Sequence, residues 1–197
     1  MEVQEVTRGS GILLAVSSLP SPYGIGTLGD AARQFVDLLV DLKQKYWQIL
    51  PVGPTSYGDS PYQTMSAFAG SPYLIDLDEL IEDGLLTKDE ISCYNWGQDE
   101  STIDYAILFD NRFRVLHQAF ERFDESDSGY QQFLNENADW IEDYGLFMAL
   151  KETNGNERWQ NWPEEIKKKQ PVALAKCRKA LYNNIRFWAF CQYKFFE

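Results

Sequence analysis

The sequence predicts an α/β fold in which parallel strands open the chain and a large helical region follows. Two observations carry this prediction. Between residues 11 and 50 an apolar run, an amphipathic stretch and a second apolar run follow one another with short joints. That is the order of a strand-helix-strand crossover, which builds parallel sheets. Beyond residue 76 the apolar residues recur at helical spacing, with aromatics prominent among them.

In chain order, residues 1–9 are a polar lead-in, and Gly11-Ile-Leu-Leu-Ala-Val16 reads as a strand buried on both faces. Ser17 to Tyr23 is a turn containing Pro20 and Pro22. A helix is expected from about Ala31, with Asp30 or Thr27 placed to cap it. Phe35, Leu38, Leu39 and Leu42 form its apolar face. The second strand, Trp47 to Leu50, follows at once. Gly24, Gly26 and Gly29 satisfy G-x-G-x-x-G, but their context opposes a dinucleotide site. Seven residues separate the strand from the first glycine, and Leu50-Pro51-Val52-Gly53 ends the second strand without an acidic residue. Asp30 would also repel a pyrophosphate at the helix start.

Function is expected to reside in the stretch from Tyr46 to Asp76. After the strand it is a loop carrying Gly53, Pro54, Gly58, Pro61, Gly70 and Pro72, with Tyr57, Tyr62, Phe68 and Tyr73 spaced among them. Long loops without regular structure are uncommon, and ordered ones are usually functional. Glycine and proline set the backbone course. Rigid aromatic faces with Asp59, Ser60 and Gln63 between them suit a ligand that is apolar on one side and hydroxylated around its rim, as a sugar ring is. Composition leaves a second possibility open, in which the aromatics fold back and plug the scaffold.

Further helices are expected over Asp78 to Leu85, ended at Gly84, and over Thr87 to Ile91, where Thr87 and Glu90 stand at capping-box spacing. Asp104 to Phe123 carries Tyr105, Leu108, Phe109, Phe113, Leu116, Phe120 and Phe123 along one stripe. Phe133 to Glu152 is stopped by Asn154-Gly155, and Arg158 to Pro163 is a loop. The last helix opens at Pro171, turns Leu174, Cys177, Leu181, Ile185, Trp188 and Phe195 inward, and runs to Glu197 without a stop signal. Two parallel strands are too few to bury themselves, so the chain is expected to be the front part of a larger barrel or sheet protein.

The formal net charge of −12 argues against nucleic acid and anionic membrane surfaces as partners, because phosphates need clustered Lys and Arg. The run Lys167-Lys168-Lys169 is flanked by Glu164 and Glu165 and reads as a solvated face. No apolar run approaches the length of a membrane span. Cys93, Cys177 and Cys191 are odd in number, scattered, and preceded by nothing like a secretory signal; they read as reduced thiols of a cytoplasmic protein. One histidine, His117, and no paired Cys/His spacing argue against zinc. His117 reads as an ordinary helix residue. Cleaving a glycosidic bond requires two carboxyl groups flanking it. The loop offers Asp59, which beside Gly58 and Ser60 is equally suited to bracing a turn, and no second carboxyl has a sequence reason to approach it. Ser17, Ser18 and Ser60 lack a nucleophile-elbow context. The chemical apparatus for such a reaction is not visible in these residues.

Several motifs in fixed order carry a family resemblance. They are Ser17-Ser-Leu-Pro-Ser-Pro-Tyr-Gly-Ile-Gly-Thr-Leu-Gly29, Tyr46-Trp-Gln-Ile-Leu-Pro51, Gly53-Pro-Thr-Ser-Tyr-Gly-Asp-Ser-Pro-Tyr-Gln63, Ser66-Ala-Phe-Ala-Gly-Ser-Pro-Tyr-Leu-Ile-Asp76 and Trp140-Ile-Glu-Asp-Tyr-Gly-Leu-Phe-Met-Ala-Leu-Lys151. Together they closely resemble the N-terminal part of 4-α-glucanotransferases (amylomaltases, glycoside hydrolase family 77). The resemblance implies the N-terminal part of a (β/α)8 TIM barrel, its first two strands and first helix, with an α-helical insertion. Residues 1–80 would start the barrel with a substrate loop at 51–76. Residues 81–165 would be the insertion, and 166–197 a helix returning to the barrel before a third strand.

The implied reaction is transfer of α-1,4-glucan segments between maltodextrins by a retaining double displacement, with no cofactor and no metal. The family's catalytic carboxylates are expected beyond this chain, which alone is expected to be inactive. The substrate-binding residues implied are Ser60, Tyr62 and Asp59. Tyr57 matches a tyrosine of a secondary glucan site; its partner position, usually tyrosine, is Phe109, which keeps a stacking face but loses the hydroxyl. A stand-alone glucan-binding module or an inactive regulatory pseudoenzyme is the alternative.

Overall fold

A computed structural model describes residues 8–56, 58–97, 99 and 101–197. Strand β1 (Gly11–Leu13), helix α1 (Asp30–Asp41) and strand β2 (Tyr46–Gln48) form the crossover that the residue order predicts. The strands are parallel, with Gly11 opposite Tyr46 and Leu13 opposite Gln48. Both are shorter than their apolar runs, and neither is buried on both faces. Leu14 makes a last ladder bond to the Gln48 carbonyl, and the chain then enters a 3₁₀ turn, Val16–Ser18, which carries Val16 and Leu19 into the core. Leu13 stays 59% exposed, since among the described residues the sheet has two strands and nothing covers that face.

Helix α1 packs on the sheet through Phe35, whose ring meets Trp47 edge-on at 5.0 Å. Its apolar face is half used: Ala32 and Leu39 are buried, whereas Leu38 and Leu42 are exposed. Neither expected cap operates. The N-cap is Gly29, Asp30 lies in the first turn beside Arg33, and Thr27 donates its hydroxyl to Asp76 instead.

Eight helices follow among the described residues: α2 (Leu77–Glu82), α3 (Lys88–Ser92), α4 (Tyr105–Arg122), α5 (Ser128–Glu136), α6 (Ile141–Thr153), α7 (Glu164–Lys167), α8 (Pro171–Ala180) and α9 (Tyr182–Phe196). Local chemistry sets several starts. Asp76 accepts from the Asp78 and Glu79 amides, Thr87 and Glu90 close a reciprocal capping box, and Asp104 accepts from the Ile107 amide. Helix α2 ends where Gly84 adopts φ +73°, a conformation that a Cβ disfavours.

Two of the long helices expected from periodicity are each broken in two. At Asn137, between α5 and α6, the side-chain amide donates to the Phe133 carbonyl while Oδ1 accepts from the Trp140 indole, so the side chain competes with the backbone ladder. Leu181 (φ −107°) separates α8 from α9, which places Cys177 and Cys191 on different helices. The expected loop at 158–163 contains a 3₁₀ turn, Trp159–Asn161, and delivers the buried Trp162 to Phe147 at 5.5 Å.

Helices α4, α6 and α9 enclose the main core, where Val115, Leu116, Ala119, Phe187, Phe190 and Cys191 are at most 1% exposed. Two polar side chains are buried with them, and both reach the long loop. Arg112 donates to the Tyr73 carbonyl at 2.8 Å and to that of Ile75. Burial pushes its pKa down to about 10, so it remains charged at neutral pH. Gln192 accepts from the Gly70 amide at 2.7 Å and donates to the Gly70 carbonyl at 3.0 Å. Gly70 has no room for a side chain, because a Cβ would lie 2.1 Å from the Phe195 ring. On its other side the loop is tied to the strand region through Ser71 N–H to the Val52 carbonyl at 2.8 Å.

Candidate functional site

The loop is more ordered than its composition suggests. Residues 54–56 fold back on 63–65: Thr55 and Thr64 form an antiparallel bridge, Ser56 N–H donates to the Gln63 carbonyl at 3.1 Å, and Met65 N–H to that of Pro54 at 3.1 Å. Near the tip Gly58 and Asp59 both have positive φ, +91° and +52°. Asp59 is thus a side-chain-bearing residue held in the left-handed region, which costs free energy and persists when its surroundings over-determine it.

Two cavities meet at this tip. The first, about 350 Å³, lies between the loop and helices α4, α6 and α9, with walls that include Asp59, Met65, Phe109, Glu152 and Trp188. The second, about 270 Å³, lies beyond the C-terminal ends of β1 and β2, against Val16, Ser17, Leu50, Val52 and Tyr105. Thr55, Asp59, Ser71 and Tyr73 line both and form the partition.

Desolvation governs the charges here. Burial raises the Asp59 pKa above the ordinary carboxylate range. Tyr73 and Tyr105 are raised as well, by burial first and then by the nearby Asp59 charge. Across the first cavity burial also raises Glu152, against the opposing effects of the Asn184 amide, which donates to Oε2 at 3.3 Å, and the Trp188 indole. Lys151 lines the same cavity, with Nζ donating to the Asn156 carbonyl at 2.8 Å. Aromatic faces with carboxyl acceptors at the edges can bind a hydroxylated ring.

The expected site residues separate into two groups. Asp59 and Phe109 share the first cavity, Phe109 being 51% exposed and set edge-on to Phe113 at 5.5 Å. Ser60 and Tyr62 line neither cavity. Ser60 Oγ takes the Tyr62 amide at 3.4 Å, and Tyr62 is 73% exposed on the rim. Tyr57 lies outside the described residues. The loop's aromatics divide as well, since Tyr73 is buried while Phe68, also exposed, stacks on Trp140 at 6.1 Å. His117 stacks on Phe187 at 3.6 Å and lines neither cavity.

Glu152, distant in sequence, lines the same cavity as Asp59. Sequence reasoning placed Trp188 on an inward helix face without assigning it to a site, and it assigned no role to Glu152, Arg112 or Gln192. Arg112 carried a signal: it sits four residues from both Leu108 and Leu116, on the buried stripe.

Residues 14–197 match the family model of 4-alpha-glucanotransferase, glycoside hydrolase family 77. The chain belongs to this family. It is 44% identical over 183 residues to the 4-alpha-glucanotransferase of Clostridium butyricum, covering 92% of this chain and 38% of that one. Against the Thermus thermophilus enzyme the identity is 43% over 198 residues, covering 98% of this chain and 39% of the relative. The chain therefore spans well under half the length of these 4-alpha-glucanotransferases. Among solved structures, the amylomaltase from Streptococcus agalactiae in complex with acarbose superposes with a TM-score of 0.92 at 42% identity, covering 96% of this chain and 39% of that one. The amylomaltase from Corynebacterium glutamicum, at 16% identity, shares the fold with a TM-score of 0.70 over 94% of this chain and 26% of its own.

Proposed function

We propose that this chain forms the glucan-binding front of a 4-α-glucanotransferase, the whole protein transferring α-1,4-glucan segments between maltodextrins by a retaining double displacement. The observation that carries this is the pair of cavities around Asp59 and Tyr73, one of them at the C-terminal ends of two parallel strands. That end is where (β/α)8 barrels hold their sites. On this reading residues 1–80 begin the barrel, 81–165 are a helical insertion and 166–197 lead back to the barrel. Asp59, with Ser60 and Tyr62 on the rim, contacts the main glucan chain, and Tyr57 and Phe109 hold a second glucan segment. The acid pair that breaks the bond belongs to other parts of the whole protein, so these residues bind without transferring. The free thiols Cys93, Cys177 and Cys191 accord with a cytoplasmic setting. Among the described residues no helix is long and apolar enough to cross a membrane.

One observation favours the alternative of a self-standing glucan-binding module: the α4–α6–α9 core is closed within this chain. A single preparation tests both readings. The purified chain is incubated with maltotriose, and products and binding are followed. Binding without glucose or longer dextrins is expected, weakened in Tyr62→Ala. Product formation overturns the division of labour; absence of binding overturns the glucan assignment.

A further inference from the structure

We propose that Glu152 is the hydroxyl-binding group of the cavity between the loop and helices α4, α6 and α9, and that it orients one neutral glucose unit against Trp188 and Phe109. The proposal rests on reading that cavity as a glucan site and adds the residue that gives it specificity. Glu152 stands near the C-terminal end of α6, half-buried in the cavity wall. Asn184 holds Oε2, while Oε1 receives no hydrogen bond from the described residues. Beside it, Trp188 is 3% exposed and also lines the cavity. Among the described residues no acceptor meets hydrogen-bond geometry with its indole Nε1.

An indole N–H only donates, and a carboxylate only accepts. A hydroxyl does both and satisfies the two groups together. The rings of Phe109, Phe113 and Trp188 supply the apolar surface that a sugar face covers. Asp59 across the cavity is a second acceptor, and Lys151 is already engaged by the Asn156 carbonyl. The two carboxyls outnumber the single Lys151 cation, a balance that disfavours a phosphorylated sugar. The ligand class is therefore an uncharged glucan segment.

The test is an NMR titration of the ¹⁵N-labelled 197-residue chain with maltoheptaose. The Trp188 indole signal is identified by its loss in Trp188→Phe. In the parent chain that signal shifts, Phe109→Ala weakens binding, and Glu152→Ala raises Kd about tenfold, the scale of a hydrogen bond to a charged group. Glu152→Gln, which keeps one acceptor oxygen, recovers part of the loss. Thermal unfolding verifies the variants; should Glu152→Ala fail to fold, the near-isosteric Glu152→Gln carries the comparison, with a Kd above that of the parent. Unchanged affinity in the folded Glu152 variant, with Phe109→Ala weakened, overturns the role of Glu152 and leaves the glucan site standing. No shift in the parent chain overturns both. Competition by glucose 1-phosphate overturns the neutral-ligand assignment.

Discussion

Helices α1 and α4 are both amphipathic, yet they share little in burial. Leu116 on α4 is 0% exposed, whereas Leu38, on the apolar face of α1, is 47% exposed. Helix α4 is met by α9 and by the segments around α2 and α3, which close over its stripe. Helix α1 meets two strands of three residues each. Periodicity states which face is apolar, and the neighbouring elements decide whether water leaves it. The helical layer is finished within the described residues, and the strand-helix-strand unit is open.

The largest expected effect tests that contrast directly. Leu116→Ala lowers unfolding free energy by about 2–5 kcal/mol through the cavity it leaves, while Leu38→Ala changes it by no more than about 0.5 kcal/mol. Urea denaturation of the two variants decides; equal losses would erase the distinction. A smaller effect sharpens the boundary between the regions. Gln192→Leu strands the buried Gly70 amide and carbonyl, at a cost of about 2–4 kcal/mol. The Gly70 amide should then exchange with solvent faster than the parent chain's, by more than amides in the middle of α4. Unaltered protection at Gly70 would mean that the clamp contributes nothing.

The smallest effect is one of sign, and it separates the outer rim of the helical layer from its cavity wall. Arg122 and Thr87 hold the Glu90 carboxyl at about 2, below its ordinary 4.5. Its contribution is complete above the ordinary value and is lost as pH falls toward 2. Burial raises Glu152, so the folded state keeps that proton longer, and its contribution declines as pH rises through the folded pKa. A carboxyl ¹³C titration should place the two midpoints on opposite sides of 4.5. Coincident midpoints would show that neither environment acts as described.

What the sequence made legible is what local chemistry controls. The capping box of α3, the stop at Gly84 and the start of α4 at Asp104 each depend on residues within a few positions of one another. The parallel crossover followed from element order. The break at Leu181 was not legible, because leucine is no breaker, and that at Asn137 was missed because its side-chain bonds to Phe133 and Trp140 compete with an equally local helical ladder. Thr27 reads as a cap and instead serves Asp76, a partner 49 positions away. For the site, the loop was singled out by its aromatic, glycine and proline content, and the fold sets it against two cavities. Which rings turn inward was not, since Tyr73 and Tyr62 have similar local contexts and differ through Arg112 and the core beneath. Glu152 could be assigned to the cavity only once α6 had been placed against the loop.

The Gln192–Gly70 pairing has a consequence for the order in which the molecule is made. Its two members are separated by 122 residues, so a nascent polypeptide exposes the aromatic segment well before the ribosome delivers the side chain that fastens it. Closing so long a loop is entropically unfavourable and slow. Until α9 emerges, the ligand-facing rim is untethered at Gly70, whatever helices have already formed. Maturation of the surface around the two cavities is thereby coupled to completion of α9.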